Sequence, residues 1–207
     1  MTGEAPVASP PFADHVFGVD IGGTNIKGAL VDVRAGCLVG ELRRSLTPRP
    51  ATPVNVAGTA AKMVADTGWC GRAGVTFPAV IKHGIARSAA NVDPSWRGTD
   101  AQQVFTEAIT GNAEVVVLND ADAAGLAQVN FGAARGVSGV VILLTFGTGI
   151  GSALIVDGRL VPNAERGHLE LDGRLVPKPG QWALGWPRCT LSRSMRYTVV
   201  TWPVLWS

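Results

Sequence analysis

The sequence predicts an α/β protein made of two related lobes that face one another across a cleft. Three observations carry that prediction. Apolar strand-like runs alternate with helix-forming stretches along the whole chain. Two glycine-rich loops, around Gly22-Gly23 and from Thr145 to Gly151, each join one strand to the next, a coarse internal repeat. Between them an unbroken apolar strand stops at Asn119-Asp120, where a helical stretch begins. The 207 residues suit one large domain or two small lobes, with length enough for a real core.

Taken in order, Val16–Ile21, Ile26–Val33 and Cys37–Arg43 read as three short strands joined by tight turns, an antiparallel meander. A proline-rich connection over 44–53 precedes a helix over Val54–Asp66, which Thr67-Gly68 ends. Ala73–Phe77 is a fourth strand, and Val80–Ile85 starts a hairpin around His83-Gly84. Thr99 with Gln102 forms a capping-box pattern for a helix running through Ile109 and stopped by Gly111. Glu114–Leu118 reads as a strand of the fully buried, parallel kind, followed by a helix over Ala121–Asn130. Val140–Leu144 and Ser152–Val156 are the strands flanking the second glycine loop.

The loops are where chemistry is expected. Gly22, Gly23, Thr24 and Asn25 form a tight turn between strands, with Asp20 at the end of the first strand and Lys27 early in the second. Glycine reaches positive φ without penalty and lets a ligand approach the backbone, so the N–H groups of such a turn can face an anion. Asp20 would stand beside that anion and can hold a metal directly or through water. On its own, the stretch is equally a Gly-Gly hairpin with a turn-capping acid. The second loop contains GxGxG, but a dinucleotide fingerprint needs a helix after its glycines and here a strand follows. No GxxxxGK[ST] is present, which removes the P-loop. What remains is a pair of phosphate hairpins on opposing lobes, with hydroxyls at Thr145 and Thr148 and backbone donors around Gly147, Gly149 and Gly151.

With phosphate in the cleft, Asp120 becomes the natural base. Ligands of open α/β sheets bind outside the carboxyl ends of parallel strands, and Asp120 sits at such an end. An acceptor hydroxyl needs a carboxylate within hydrogen-bond reach and a line of attack on phosphorus. Read in isolation, Asn119 and Asp120 equally well just cap the helix; Asp122, two residues on, is assigned to capping or to supporting the base. The run Glu165-Arg-Gly-His168-Leu-Glu170 offers acids and a histidine that can ring a polyol, or form a solvated turn.

Composition excludes other classes. An apolar content of 46% and a mean hydropathy of +0.22 describe a compact protein, and no apolar run approaches the ~20 residues of a membrane span. Residues 1–14, rich in Pro and Ala, read as a flexible tail and not a signal peptide. Cys37, Cys70 and Cys189 stand far apart, which argues against a disulfide framework or a structural zinc site and suits a cytoplasmic setting. The net charge of +2 is uneven: Arg174, Lys178, Arg188, Arg193 and Arg196 follow the last acid, Asp172, leaving −3 on residues 1–173. Bulk charge gives no reason to expect nucleic acid or a membrane as partner.

Four separated motifs then agree. Asp20-Ile-Gly-Gly-Thr-Asn, Asn119-Asp120-Ala, Leu144-Thr-Phe-Gly-Thr-Gly-Ile-Gly and Glu165-Arg-Gly-His168, in this order and spacing, resemble the ROK family of sugar kinases and repressors, and within it the polyphosphate-using glucokinases. Gly74-Val-Thr-Phe-Pro78, Ala90-Asn-Val-Asp-Pro-Ser-Trp96, Leu118-Asn-Asp-Ala-Asp-Ala-Ala-Gly-Leu126 and Val161-Pro-Asn163 support the likeness, which covers about residues 15–173. The resemblance implies an actin-like (ribonuclease H-like) fold with glucose between two lobes, residues 15–118 and 119–173. It implies that Asp120 takes the proton of the sugar 6-hydroxyl, and that Asn91, Asn119, Glu165, His168 and, more weakly, Glu170 contact the sugar. Asp20 to Lys27 and Thr145 to Gly151 would bind the donor, polyphosphate or ATP, with Mg²⁺ near Asp20. The cysteine-rich zinc motif of many members is missing, so the resemblance implies no zinc and makes His168 a sugar ligand. The short stretch before Val16 leaves no helix-turn-helix, which weighs against a repressor. A homodimer is implied as well.

Beyond about Gly173 the likeness is expected to stop. The segment 174–207 is acid-free and holds four of the six tryptophans beside Pro177, Pro179, Pro187 and Pro203. It reads as an aberrant tail produced by a reading-frame shift near codon 174, which leaves the second lobe incomplete. Three functions follow: a polyphosphate glucokinase that also uses ATP, an ATP-only sugar kinase, or an inactive sugar-binding product.

Overall fold

The computed structural model describes residues 14–89, 92–109, 114–146, 150–164, 170–171 and 174–175. The first half is a five-stranded mixed sheet. Strands β1 (His15–Ile21), β2 (Asn25–Asp32) and β3 (Cys37–Leu46) form the expected antiparallel meander. Helix α1 (Pro53–Ala65) then leads to β4 (Ala73–Phe77), which pairs parallel to β1. A short hairpin of β5 (Ile81–Lys82) and β6 (Ile85–Ala86) turns at His83 and Gly84. Both residues have positive φ, at 51° and 79°, as a tight two-residue turn demands. After a 3₁₀ turn at Pro94–Trp96 and helix α2 (Ala101–Ala108), strand β7 (Val115–Asn119) pairs parallel to β4. The sheet order is β3-β2-β1-β4-β7.

Alternation along β1 buries Phe17, Val19 and Ile21 on one face and leaves Gly18 and Asp20 on the other. On the apolar face lies α1, through Val56, Ala57, Ala60, Met63 and Val64. Thr52 caps that helix, its hydroxyl accepting from Asn55 N at 3.4 Å, and Pro53 occupies the first position, where a missing N–H costs nothing. Gly28 of β2 makes the close approach possible: a Cβ there would lie 2.6 Å from Met63 Sδ and 2.9 Å from Phe17 Cε1. Trp96 fills the far end of this core, with its ring centroid 4.3 Å from that of Phe77 and its indole N–H donating to Ala51 O at 2.9 Å.

Two expectations are corrected. The cap of α2 is Asp100, whose Oδ1 accepts from Gln103 N at 2.9 Å, while the Thr99 hydroxyl turns back to Ser95 O. Aspartate one residue later offers the same acceptor with a charge that suits a helix N-terminus, so no Thr99–Gln102 box forms. Strand β7 is parallel but not buried on both faces, for Val116 is 46% exposed and its neighbours alternate. Val115, Val117 and Asn119 face the core, while Val116 and Leu118 point to the other face, which no described element covers fully at Val116.

The second half begins with α3 (Asp120–Phe131), followed by an antiparallel sheet of β8 (Val140–Phe146), β9 (Ile150–Val156) and β10 (Arg159–Val161) in the order β10-β9-β8. Glycine again sets the packing distance: a Cβ on Gly125 of α3 would come within 2.8 Å of Ala153 Cβ on β9. Ala134, Val141 and Ile155 form a small second core among the described residues. A last pair, β11 (Glu170–Leu171) with β12 (Arg174–Leu175), is antiparallel.

Candidate active site

The turn after β1 is held from behind. Gly22 N donates to Asn25 O at 3.0 Å, and a Cβ on Gly22 would sit 2.7 Å from that oxygen, so closeness, and not a positive φ, is what requires glycine here. The Thr47 hydroxyl donates to Gly22 O at 2.6 Å, Arg49 Nη2 to Gly23 O at 2.9 Å, and Thr47 N to Thr24 O at 3.0 Å. With its carbonyls tied down, the turn keeps the N–H groups of Gly23 and Thr24 without a backbone partner among the described residues. That is the arrangement an anion needs.

Asp20 ends β1 half-buried, and its Oδ1 accepts from the Thr76 hydroxyl at 2.7 Å. The parallel register aligns Asp20 with Thr76, and the antiparallel register puts Lys27 directly across from Asp20. No ion pair joins Asp20 and Lys27 among the described residues, which leaves the ammonium for a ligand. The second oxygen of Asp20 likewise bonds to no described group. Among the described residues no three His, Cys, Asp or Glu side chains gather to cage a metal. One open carboxylate oxygen beside an anion-ready turn fits Mg²⁺ of the kind that takes its remaining ligands from phosphate and water.

Asn119 closes β7 and caps α3. It is 2% exposed, its Oδ1 accepts from Asp122 N at 3.0 Å, and its Nδ2 donates to Ala79 O at 3.1 Å. Among the described residues, one amide proton and one lone pair of Asn119 are left without a partner. Asp120, the first residue of α3, is half-buried at the carboxyl end of a parallel strand, as expected, with Oδ1 accepting from Ala121 N at 2.8 Å. Asp122 turns inward: it is 3% exposed, Oδ2 accepts from Asn163 N at 2.8 Å, and Oδ1 has no partner among the described residues. Burial pushes its carboxyl up, only partly offset by the Asn163 N–H.

The second glycine loop comes to the same helix. Thr145 pairs with Gly151 across the β8–β9 hairpin, and a Cβ on Gly151 would lie 2.5 Å from Thr145 Oγ1 and 3.0 Å from Ala121 Cβ. The hairpin therefore rests on the residue next to Asp120. Gly147, Thr148, Gly149, Asn91, Glu165 and His168 lie outside the described residues, as does the Glu170 side chain, though its backbone is in β11. A cavity of about 420 Å³ lined by Arg87, Ser88, Ala89, Pro94 and Arg97 lies on the chain segments flanking Asn91.

Sequence reasoning missed Thr76, Thr47, Arg49 and Asn163. Thr76 was legible in principle: it is out of phase with the buried Val75 and Phe77, and so shares the face of Asp20 once β1 and β4 pair in parallel. Asn163 stood in the Val161-Pro-Asn163 stretch but was given no role there, and Thr47 and Arg49 act through backbone groups distant in sequence and leave no local pattern.

Comparison with known proteins agrees with this architecture. The signature of the ROK family matches residues 16–185, so residues 174–185 of the segment read as aberrant lie inside it. The chain belongs to the ROK family and has its actin-like α/β fold. Among its relatives, the polyphosphate glucokinase of Mycobacterium tuberculosis (strain CDC 1551 / Oshkosh) is 51% identical over 173 residues, 84% of this chain and 64% of the relative. The inorganic polyphosphate/ATP-glucomannokinase of Arthrobacter sp. strain KM superposes with a TM-score of 0.73 at 52% identity, covering 77% of this chain and 65% of that one. A ROK family glucokinase from Streptomyces griseus, solved with glucose and AMPPNP, gives 0.66 at 29% identity, covering 76% and 51%. The chain thus spans just under two thirds of the length of the first two relatives.

Proposed function

We propose that this chain is a glucokinase that transfers a phosphoryl group from inorganic polyphosphate, and also from ATP, to the 6-hydroxyl of glucose. The observation that carries the reading is the meeting at Asp120: a strand-end carboxylate whose neighbour Ala121 is in contact range of the second glycine hairpin at Gly151. The half-identical relatives are named for polyphosphate, and one of them for ATP too, which orders the two donors.

In this reading Asp120 accepts the proton of the attacking hydroxyl as the new O–P bond forms and the bond to the leaving phosphate oxygen breaks. Lys27 and the N–H groups of Gly23 and Thr24 hold donor phosphate from the first hairpin, and Thr145 to Gly151 hold it from the second. Magnesium, when bound at Asp20, neutralises charge on the donor. The Asn119 amide, with Asn91, Glu165, His168 and Glu170 by family likeness, orients the sugar. No helix of the described residues is long and apolar enough to cross a membrane. A cytoplasmic homodimer that needs neither zinc nor nucleic acid belongs to the same proposal, as does the lobe division at Asn119 and a tail of frameshifted origin from residue 174. Translating the alternative frames of the encoding DNA tests the last point: an acid-containing helical continuation supports it, and none in any frame sinks it. A coupled glucose 6-phosphate assay of the folded chain, with polyphosphate and ATP in parallel, tests the activity. Product with ATP alone would move the assignment to an ATP-only kinase.

A further inference from the structure

The first turn of α3 carries Asp120, and two contacts of its neighbours tie that turn to the first sheet. Asn119 Nδ2 donates to Ala79 O, and Asp122 Oδ2 accepts from Asn163 N. Asn163 in turn reaches the segment following β4 with both ends of its amide: Oδ1 accepts from Ile81 N at 2.9 Å and Nδ2 donates to Ile81 O at 2.8 Å. Its backbone is in the left-handed region, φ 55°, which asparagine tolerates better than most residues. The next residue is also held, Ala164 O accepting from the Ser152 hydroxyl of β9 at 3.4 Å. Residues 163 and 164 thus join three elements: the Asn163 amide bonds β5, its backbone N–H the first turn of α3, and the Ala164 carbonyl the strand that leaves the second glycine hairpin.

We propose that Asn163 is a positioning residue for phosphoryl transfer: its paired bonds to the Ile81 backbone and its N–H bond to Asp122 hold the first turn of α3, and with it the Asp120 carboxylate, in register with the β4–β5 segment. This rests on the reading of Asp120 as the base. The amide is matched to the task. It presents one donor and one acceptor to a backbone N–H and C=O of a single residue, a pairing that an ionised aspartate of the same length does not provide. Removing it leaves the N–H and C=O of Ile81, a residue 8% exposed, without those partners. A displacement of about 1 Å at a reacting group costs on the order of a hundredfold in rate.

The test uses the full 207-residue chain and two variants. Asn163→Gly keeps the freedom to adopt positive φ and removes the amide. Asn163→Asp keeps tolerance of that φ and the acceptor, but sets a second acceptor against Ile81 O. Steady-state formation of glucose 6-phosphate from polyphosphate is compared with hydrogen exchange at the amides of residues 120–123, per folded molecule. Expected is a kcat lower by about tenfold to a hundredfold in both variants. KM for glucose should stay within about threefold, and exchange at residues 120–123 should quicken in both. Were Asn163 needed only for its backbone conformation, both variants would keep the kcat and exchange of the unaltered chain, and the proposal would be overturned. A kcat unchanged once corrected for folded fraction would overturn it too. If the unaltered chain makes no product with either donor, the functional reading falls separately; quickened exchange in the variants still upholds the clamp on α3, and unchanged exchange removes it.

Discussion

The Thr76 hydroxyl donates to Asp20 Oδ1 at 2.7 Å across 56 residues of sequence. The bond exists because β1 and β4 run parallel with Asp20 beside Thr76, and because alternation turns both away from the α1 core. It fixes one carboxylate oxygen and leaves the other without a bond among the described residues. Thr76→Val keeps the shape and removes the donor. The expected loss of stability is about 1 kcal/mol. Turnover should suffer more, with kcat/KM lower by about tenfold because Asp20 is no longer aimed. Thr76→Ser, which restores the hydroxyl, should recover most of that rate; a valine variant with unchanged kcat/KM would show that the bond does not orient Asp20.

Asp122 sets a pH dependence. Burial raises its carboxyl pKa in the folded chain above the value of about 3.9 expected when unfolded. The folded state therefore binds this proton more tightly, and the stabilising contribution is fully present below the unfolded value and lost as pH rises through the folded one. Asp122→Asn removes the ionisation and retains an oxygen for Asn163 N. In urea unfolding, the variant should gain on the unaltered chain as pH is raised from about 4 to 7. Parallel curves across that range would contradict the assignment.

Trp96 is the largest fully buried side chain of the described residues and packs against Phe77 and Phe105. Trp96→Ala should cost about 3–5 kcal/mol by leaving a cavity. Trp96→Phe should cost about 1–3 kcal/mol, chiefly from Ala51 O left without its donor. Urea midpoints check both, and a loss below about 1 kcal/mol for alanine would mean that this end of the core is loosely packed.

The sequence made β1, β2, β4 and the helices legible because each pairs a periodic apolar pattern with a strong stop: Gly22 after β1, Thr52-Pro53 before α1, Asn119 before α3. It misjudged β7, since an apolar run alone does not say whether a further layer packs on each face of the strand. It placed Asp120 and the two glycine hairpins through family likeness and strand-end position. It could not show that Gly151 rests on Ala121, or that Asn163 reaches Ile81, because both depend on how close two elements approach, which only the packed chain decides. Asp122 was given a capping or supporting role on helix geometry, and its burial, with one oxygen unpartnered among the described residues, is a product of that same packing.

The central claim is that Asp120 is the base of a phosphoryl transfer to glucose. Its most direct measurement is the rate of glucose 6-phosphate formation from polyphosphate by the folded chain and by Asp120→Asn, alongside glucose binding by calorimetry. The account predicts product from the unaltered chain, a kcat lower by about 10²- to 10⁴-fold in the variant, and glucose affinity within about threefold. No product with polyphosphate or ATP from folded protein, or a variant that turns over at the unaltered rate, would contradict it.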